Sequence, residues 1–146
     1  MTILSLDSVS KRYGATVALD DVSLNFAEGD ITAVIGRSGC GKSTLLKVCN
    51  GLIAPDAGQV RVFNQLLDYS NLPSVRRRLG YAVQGTGLFP HLDARQNIVL
   101  LASLEGWGSA RIEQRVTELQ QLTQLQDEQL DKFPHQLSGG QQQRVG

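Results

Sequence analysis

The sequence lacks a charge excess: 14 basic and 14 acidic residues among 146 leave a formal net charge of 0. That removes the bulk electrostatic attraction that draws proteins to nucleic acids or anionic membranes, so no nucleic-acid partner is expected. It also lacks long apolar runs, none approaching the roughly 20 residues of a spanning helix. The start, Met1 to Asp7, has no basic segment ahead of an apolar one. The chain is therefore expected to be soluble and intracellular, with any membrane role passing through a protein partner. Cysteine is scarce: Cys40 and Cys49 are the only 2, and their spacing is not that of metal ligands, so two free thiols in a reducing compartment are expected. Internal repeats and low-complexity tracts are absent too. What remains is 41% hydrophobic and 19% charged, an ordinary composition for a globular domain able to bury a core.

Against that plain background one stretch stands out, Gly36-Arg37-Ser38-Gly39-Cys40-Gly41-Lys42-Ser43-Thr44. It fits G-x-x-x-x-G-K-[ST], the phosphate-binding loop. Glycines let the backbone curl so that its N–H groups converge on an anion, and the helix that follows aims its positive end at the same point. In this pattern Lys42 reaches the β- and γ-phosphates of a nucleotide and the Ser43 hydroxyl ligates Mg²⁺. The context has the required order. Ile31-Thr32-Ala33-Val34-Ile35 reads as a buried parallel strand, and Leu45, Leu46, Val48, Cys49 and Leu52 follow at helical spacing.

Upstream, residues 3–12 alternate as an edge strand that ends in a turn at Tyr13-Gly14. Val17 to Phe26 forms a second strand, closed by Glu28-Gly29-Asp30, which suggests an antiparallel layer against the loop-bearing core. Tyr13, at a strand end, either stacks on a purine face or packs over the sheet edge. Downstream, Ala54-Pro55-Asp56-Ala57-Gly58 is a turn, Gln59 to Phe63 a strand, and Arg76-Arg77-Arg78 a solvated basic face. Leu79 to Gln84 reads as a further short strand with Gln84 at its carboxyl end, where open α/β sheets hold their ligands. Two helices follow, Ala94–Ala102 and Ser109–Gln126, the second with Ser109 as N-cap. Trp107 between them is a partner contact or, more commonly for such a residue, an apolar plug. This gives an α/β core with an antiparallel β layer over residues 1–92, a helical insertion over 93–137, and a last segment over 138–146.

That last segment begins Ser138-Gly139-Gly140-Gln141, preceded by Leu137. A serine and two glycines opening a helix form a second anion-binding N-terminus. The LSGGQ pentapeptide so far downstream of a phosphate-binding loop resembles the signature of ATP-binding-cassette (ABC) ATPases, and the similarity covers essentially the whole chain. Within that family, Gly80 to His91, Gly106-Trp107 and Phe133-Pro134-His135-Gln136 resemble the ATPase subunits of bacterial uptake systems for quaternary-amine osmoprotectants such as glycine betaine and choline.

The resemblance implies roles residue by residue. ATP and Mg²⁺ are the implied ligands, held by Gly36, Arg37, Ser38, Gly39, Cys40, Gly41, Lys42, Ser43 and Thr44. Tyr13 matches the adenine-stacking aromatic, and Gln84 matches the glutamine that contacts Mg²⁺ and the attacking water. Ser138, Gly139, Gly140 and Gln141 would reach the ATP of a second subunit in a head-to-tail dimer. Residues 88–97, within the stretch 85–97, match the surface that engages membrane-spanning permease subunits on the cytoplasmic face of the inner membrane, with a substrate-binding protein as an indirect partner. Neither His91 nor His135 matches the family's switch histidine; both read as surface or turn residues. Family members continue into an apolar strand ending in the Walker-B aspartate, followed by a catalytic glutamate, none of which occurs before Gly146. The expectation is thus a P-loop core truncated before the Walker-B strand, an N-terminal piece with apolar surface bare, weak nucleotide binding and little turnover of its own. The alternatives are a non-catalytic nucleotide-binding remnant and a soluble, non-transport ATPase of the same family.

Overall fold

A computed structural model describes residues 1–146 apart from Gln84 and Thr86. The chain divides into two compact units, Met1–Tyr81 and Ala82–Gly146.

The first unit is built on a four-stranded antiparallel sheet in the order β2-β1-β3-β4, formed by β1 (Thr2–Tyr13), β2 (Thr16–Ala27), β3 (Ala57–Val62) and β4 (Gln65–Leu66). The expected antiparallel layer is present, but β1 is not its edge. Leu6 pairs with Leu24 of β2 on one side and with Val60 of β3 on the other. β1 is interior because β3 returns beside it after the first helix, and a long strand with apolar residues on its inner face is stabilised by two neighbours rather than one.

Alternation in these strands is interrupted at corresponding points. Leu6 and Val9 are both buried although three residues apart, because the register shifts between them and Ser8 adopts a φ of 49°. In β2 the step from Leu19 to Val22 passes through Asp21 with a φ of 48°. Each bulge frees backbone amides, and a serine on the opposite strand takes one up: the Ser8 amide donates to Ser23 Oγ at 2.9 Å and the Asp21 amide to Ser10 Oγ at 3.0 Å.

Helix α1 (Lys42–Cys49) packs across β1, β2 and β3. Its Leu45, Val48 and Cys49 join Leu6, Val9, Leu19, Val60, Val62, Leu67 and Leu72 in the main core. The helix is shorter than the apolar spacing predicts: Leu52 lies past its end and Leu46 faces solvent. α2 (Pro73–Arg76) follows, and here the basic run is more than a solvated face. Arg76 donates to the Gly51 carbonyl at 2.7 Å, and the Arg78 guanidinium lies 3.6 Å from the centroid of the Phe63 ring.

Two expected strands are not formed. Ile31–Ile35 is irregular and open, with Ile31 100% and Ile35 91% exposed. Leu79–Val83 is irregular as well, with Tyr81 and Val83 at the surface, while Gln84 lies outside the described residues. A strand is made by its ladder, and among the described residues no neighbour pairs with either segment. Apolarity alone leaves such a segment extended and wet. Ile3, Leu4, Phe26, Val34 and Leu45 border a largely apolar groove of about 330 Å³ beside it.

The second unit is helical: α3 (Ala94–Leu104), α4 (Ser109–Thr123), α5 (Asp127–Leu130), a 3-10 turn at Pro134–Gln136 and α6 (Gly139–Val145). Both expected long helices exist, with different ends. The N-cap of α4 is Gly108 rather than Ser109, and Gln124 stops the helix by turning left-handed at a φ of 57°. Trp107 is half-buried and carries the Arg111 guanidinium 3.5 Å from its ring centroid, so it packs against its own helix start. Ala94, Leu125, Leu137 and Val145 form the small core, with Leu88 and Ile98 against it. No helix among the described residues is long and apolar enough to cross a membrane.

Asn97 organises the entrance to this unit. Its carboxamide nitrogen lies 3.2, 3.0 and 2.9 Å from the carbonyls of Phe89, Leu92 and Asp93, and its oxygen accepts the Phe89 amide at 2.8 Å. Asn97→Ala removes every one of these bonds and should destabilise the unit by about 1–3 kcal/mol. Hydrogen exchange would register it as lost protection at the Phe89 amide, and unchanged protection there would disprove the role.

Candidate functional site

The glycine-rich loop joins the open Ile31–Ile35 segment to α1, whose first residue is Lys42. The lysine folds back over the loop that precedes it. Its Nζ donates to the carbonyls of Gly36 at 2.9 Å and Arg37 at 2.7 Å, and lies 3.6 Å from Cys40 Sγ. The Cys40 amide closes a turn onto Arg37 O at 3.3 Å. The ammonium is thus held against the loop by the loop's own carbonyls. Ser43 and Thr44 occupy the next two positions of α1, while Arg37, Ser38, Gly39 and Cys40 are exposed along the loop.

The N-terminus of α1 differs from its counterparts at α3 and α6. Asp93 caps α3, accepting the Gln96 amide at 2.7 Å, and Ser138 caps α6, accepting the Gln141 amide at 3.3 Å. The cap of α1 is Gly41, and among the described residues no side chain bonds its first amides. With no carboxylate between Gly36 and Thr44, the loop offers hydrogen-bond donors and positive charge to an acceptor-rich anion. That donor set fits a polyphosphate.

Gly41 also fixes where the loop sits. Its φ is 94°, and a Cβ there would lie 2.2 Å from the backbone oxygen of Ala18. β2 therefore crosses the loop at Ala18 with no room for a side chain between them. Ala18 is two residues from Thr16, the strand partner of Tyr13, or about 7 Å along β2. The fold thus brings Tyr13, 48% exposed at the hairpin tip, into the neighbourhood of the phosphate loop. Ala18 carries no signal in the sequence, because its contribution is a main-chain oxygen.

Gln84 lies outside the described residues. Ser138, Gly139, Gly140 and Gln141 belong to the second unit, where they open α6. There Ser138 and Gln141 form a reciprocal capping box, the Ser138 amide donating to Gln141 Oε1 at 2.9 Å. Gln142 braces the approach, its Nε2 donating to the carbonyls of Pro134 at 2.8 Å and Leu137 at 3.0 Å. As one of three consecutive glutamines, Gln142 carries no distinguishing signal in the sequence. His91 and His135 are exposed, as expected, and each lies against a phenylalanine, Phe89 and Phe133 respectively. Among the described residues no cluster of His, Cys, Asp or Glu is arranged to hold a metal.

The sequence model described as ABC transporter matches residues 19–146. The chain belongs to the ABC transporter family. It is 45% identical over 144 residues to the glycine betaine uptake system ATP-binding protein YehX of Escherichia coli (strain K12), covering 99% of this chain and 47% of that protein. It is 41% identical over 145 residues to the choline transport ATP-binding protein OpuBA of Bacillus subtilis (strain 168), covering 99% of this chain and 38% of that protein. Among solved structures, the dimeric post-hydrolysis state of the ATP-binding cassette MJ0796 bound to ADP and Pi matches with a TM-score of 0.87 and 33% identity, over 97% of this chain and 66% of that one. The ABC chain described here spans less than half the length of those two curated relatives. The expected α/β architecture of an ABC ATPase is the one observed.

The glycine-rich loop of this ABC chain can be probed at Gly41 and at Cys40. Gly41→Ala adds a β-carbon at a left-handed position and against a backbone oxygen. It should lower thermal stability by more than the roughly 1–2 kcal/mol of left-handed strain alone, which a melting curve will report. Both cysteines are free, Cys40 exposed and Cys49 buried, and burial pushes the Cys49 thiol up to about 11. The thiolate is the nucleophile, so at pH 8 an alkylating reagent should label Cys40 alone in the folded chain, and Cys49 only after denaturation. Peptide mass mapping gives the answer.

Proposed function

We propose that this chain is the nucleotide-binding part of an ATPase subunit that couples ATP binding and hydrolysis to solute import across a bacterial inner membrane, the solute being a quaternary-amine osmoprotectant. The observation that carries the reading is the carboxylate-free cradle Gly36–Thr44, with Lys42 folded into it and a helix N-terminus that no side chain caps among the described residues. Likeness to YehX and OpuBA supports the choice of solute.

ATP enters with its phosphates in the loop. Lys42 exchanges the carbonyls of Gly36 and Arg37 for the β- and γ-phosphate oxygens, and the amides at the start of α1 complete the cage. Tyr13 supplies the face on which the adenine stacks. Ser43, with Gln84 as the second protein contact, would hold Mg²⁺, which would supply positive charge to offset the negative charge of the phosphates. Ser138 to Gln141 meet the γ-phosphate of the other subunit in a head-to-tail dimer, α6 presenting its N-terminus to that anion. The subunit stays on the cytoplasmic face, bound to permease subunits through residues 85–97. Exposed Phe89, Pro90 and His91, backed by Asn97, suit that contact. The substrate-binding protein acts through the permease.

Lys42→Ala should abolish retention of radiolabelled ATP and, in cells at high salt, uptake of labelled glycine betaine that depends on this subunit. Undiminished ATP binding would refute the nucleotide site. Loss of ATP binding with betaine uptake intact would refute the solute.

A further inference from the structure

Tyr13 sits at the tip of the β1–β2 hairpin, and the hairpin outruns its support. Pairing of β1 with β3 ends at Ser10 opposite Ala57, whereas pairing with β2 continues through Arg12 opposite Val17 to Tyr13 opposite Thr16. Beyond Ser10 the tip is a two-stranded ribbon, a form with little stability of its own. On the side where β3 stops, the side chain of Asp56 takes over. Its Oδ1 accepts from Lys11 Nζ at 2.7 Å, its Oδ2 accepts the Arg12 amide at 2.7 Å, and its own amide donates to Ser10 O at 2.9 Å. Three successive residues of β1 are thus tied to one aspartate, and the next residue is Tyr13.

We propose that Asp56 is a positioning residue for the nucleotide base, holding the hairpin tip so that the Tyr13 ring stands where an adenine can stack on it. The inference rests on the reading of Tyr13 given above and adds to it the group that sets the ring.

Two further features show that the grip is built rather than incidental. The backbone of Asp56 is itself fixed, because Ala57 pairs with Ser10 and Gly58 closes onto the β1 bulge. With a φ of 84°, Gly58 leaves 2.3 Å between Ser8 O and the place a Cβ would occupy. The second feature is Lys11. Its side chain is only 15% exposed, and its ammonium lies over the Tyr13 ring, 5.8 Å from the centroid, near the outer limit of about 6 Å for attraction between a cation and an aromatic face. Asp56 therefore acts on the ring through the backbone, at Arg12, and through a cation, at Lys11. The Lys11 hydrogen bond, with the Arg12 amide second, holds the Asp56 carboxyl below the usual carboxylate range, so the partner of that ammonium is charged at neutral pH. Asp56 also follows α1 closely in the chain, so the segment leaving the phosphate loop's helix braces the platform for the base.

The test separates base from phosphate. The full chain is titrated calorimetrically with MgATP and with magnesium tripolyphosphate, which has no base, in the wild type, Asp56→Asn, Tyr13→Ala and the double variant. Asp56→Asn should weaken ATP roughly three- to tenfold, the worth of one or two hydrogen bonds, and leave tripolyphosphate unchanged. Tripolyphosphate binding also reports that the loop is still folded. Tyr13→Ala should weaken ATP at least as much, and adding Asp56→Asn to it should cost nothing more. Lys11→Met, which spares the Arg12 bond, should give a smaller loss in the same direction. Equal losses for both ligands would make Asp56 a general scaffold, and a loss that persists in the Tyr13→Ala background would make it independent of the ring; either overturns the proposal. If Tyr13→Ala weakens ATP and Asp56→Asn does not, the inference fails alone. If Tyr13→Ala has no effect, the base platform fails and takes the inference with it.

Discussion

The oxygen of Ala18 occupies the space that a side chain at residue 41 would need, and much of the first unit follows from that approach. It requires glycine at the point where loop becomes helix, and it lets β2 lie against the phosphate loop. A hairpin that otherwise belongs to a separate antiparallel layer thereby becomes a wall of the loop's surroundings. α1 is trapped in the same arrangement, its Leu45, Val48 and Cys49 packed with β1, β2 and β3 residues in one core. Main-chain contacts of this kind transmit position well because they have no rotamers to absorb a shift.

Much of this architecture was legible in the sequence. The loop declared itself because its chemistry needs particular residue types at fixed spacing, and the helix and hairpin beside it followed from periodicity. The position of β1 was not legible. Its alternation told which face is buried but could not tell how many neighbours it has, and the interior place came from β3. Ile31–Ile35 misled in the opposite sense, since its apolar run described a strand whose ladder the described residues do not supply. The bulges had a faint signature, the three-residue steps from Leu6 to Val9 and from Leu19 to Val22, each flanked by a polar residue able to turn left-handed.

In the candidate site, motifs mark the residues that offer chemistry, and no motif marks the residues that brace the main chain around them. Lys42 and Ser138 belong to motifs. Asn97, Gln142 and Asp56 do not: each bonds main-chain atoms outside its own element, those of Asn97 and Gln142 a few residues upstream and that of Asp56 far along the chain, and any polar side chain of suitable reach looks alike until the chain is folded. The arginine run shows the same blindness: Arg76 and Arg78 read as solvated charge, yet one closes on a carbonyl and the other on a ring.

Asn97 gives the second unit a mechanical character. One carboxamide in the first turn of α3 grips the Phe89, Leu92 and Asp93 main chain, while the capping box between Asp93 and Gln96 clamps the same junction. Loop and helix are consequently one stiff lever. The exposed Phe89 is thereby joined to the first turn of α3 by side-chain to main-chain hydrogen bonds as well as by the chain itself.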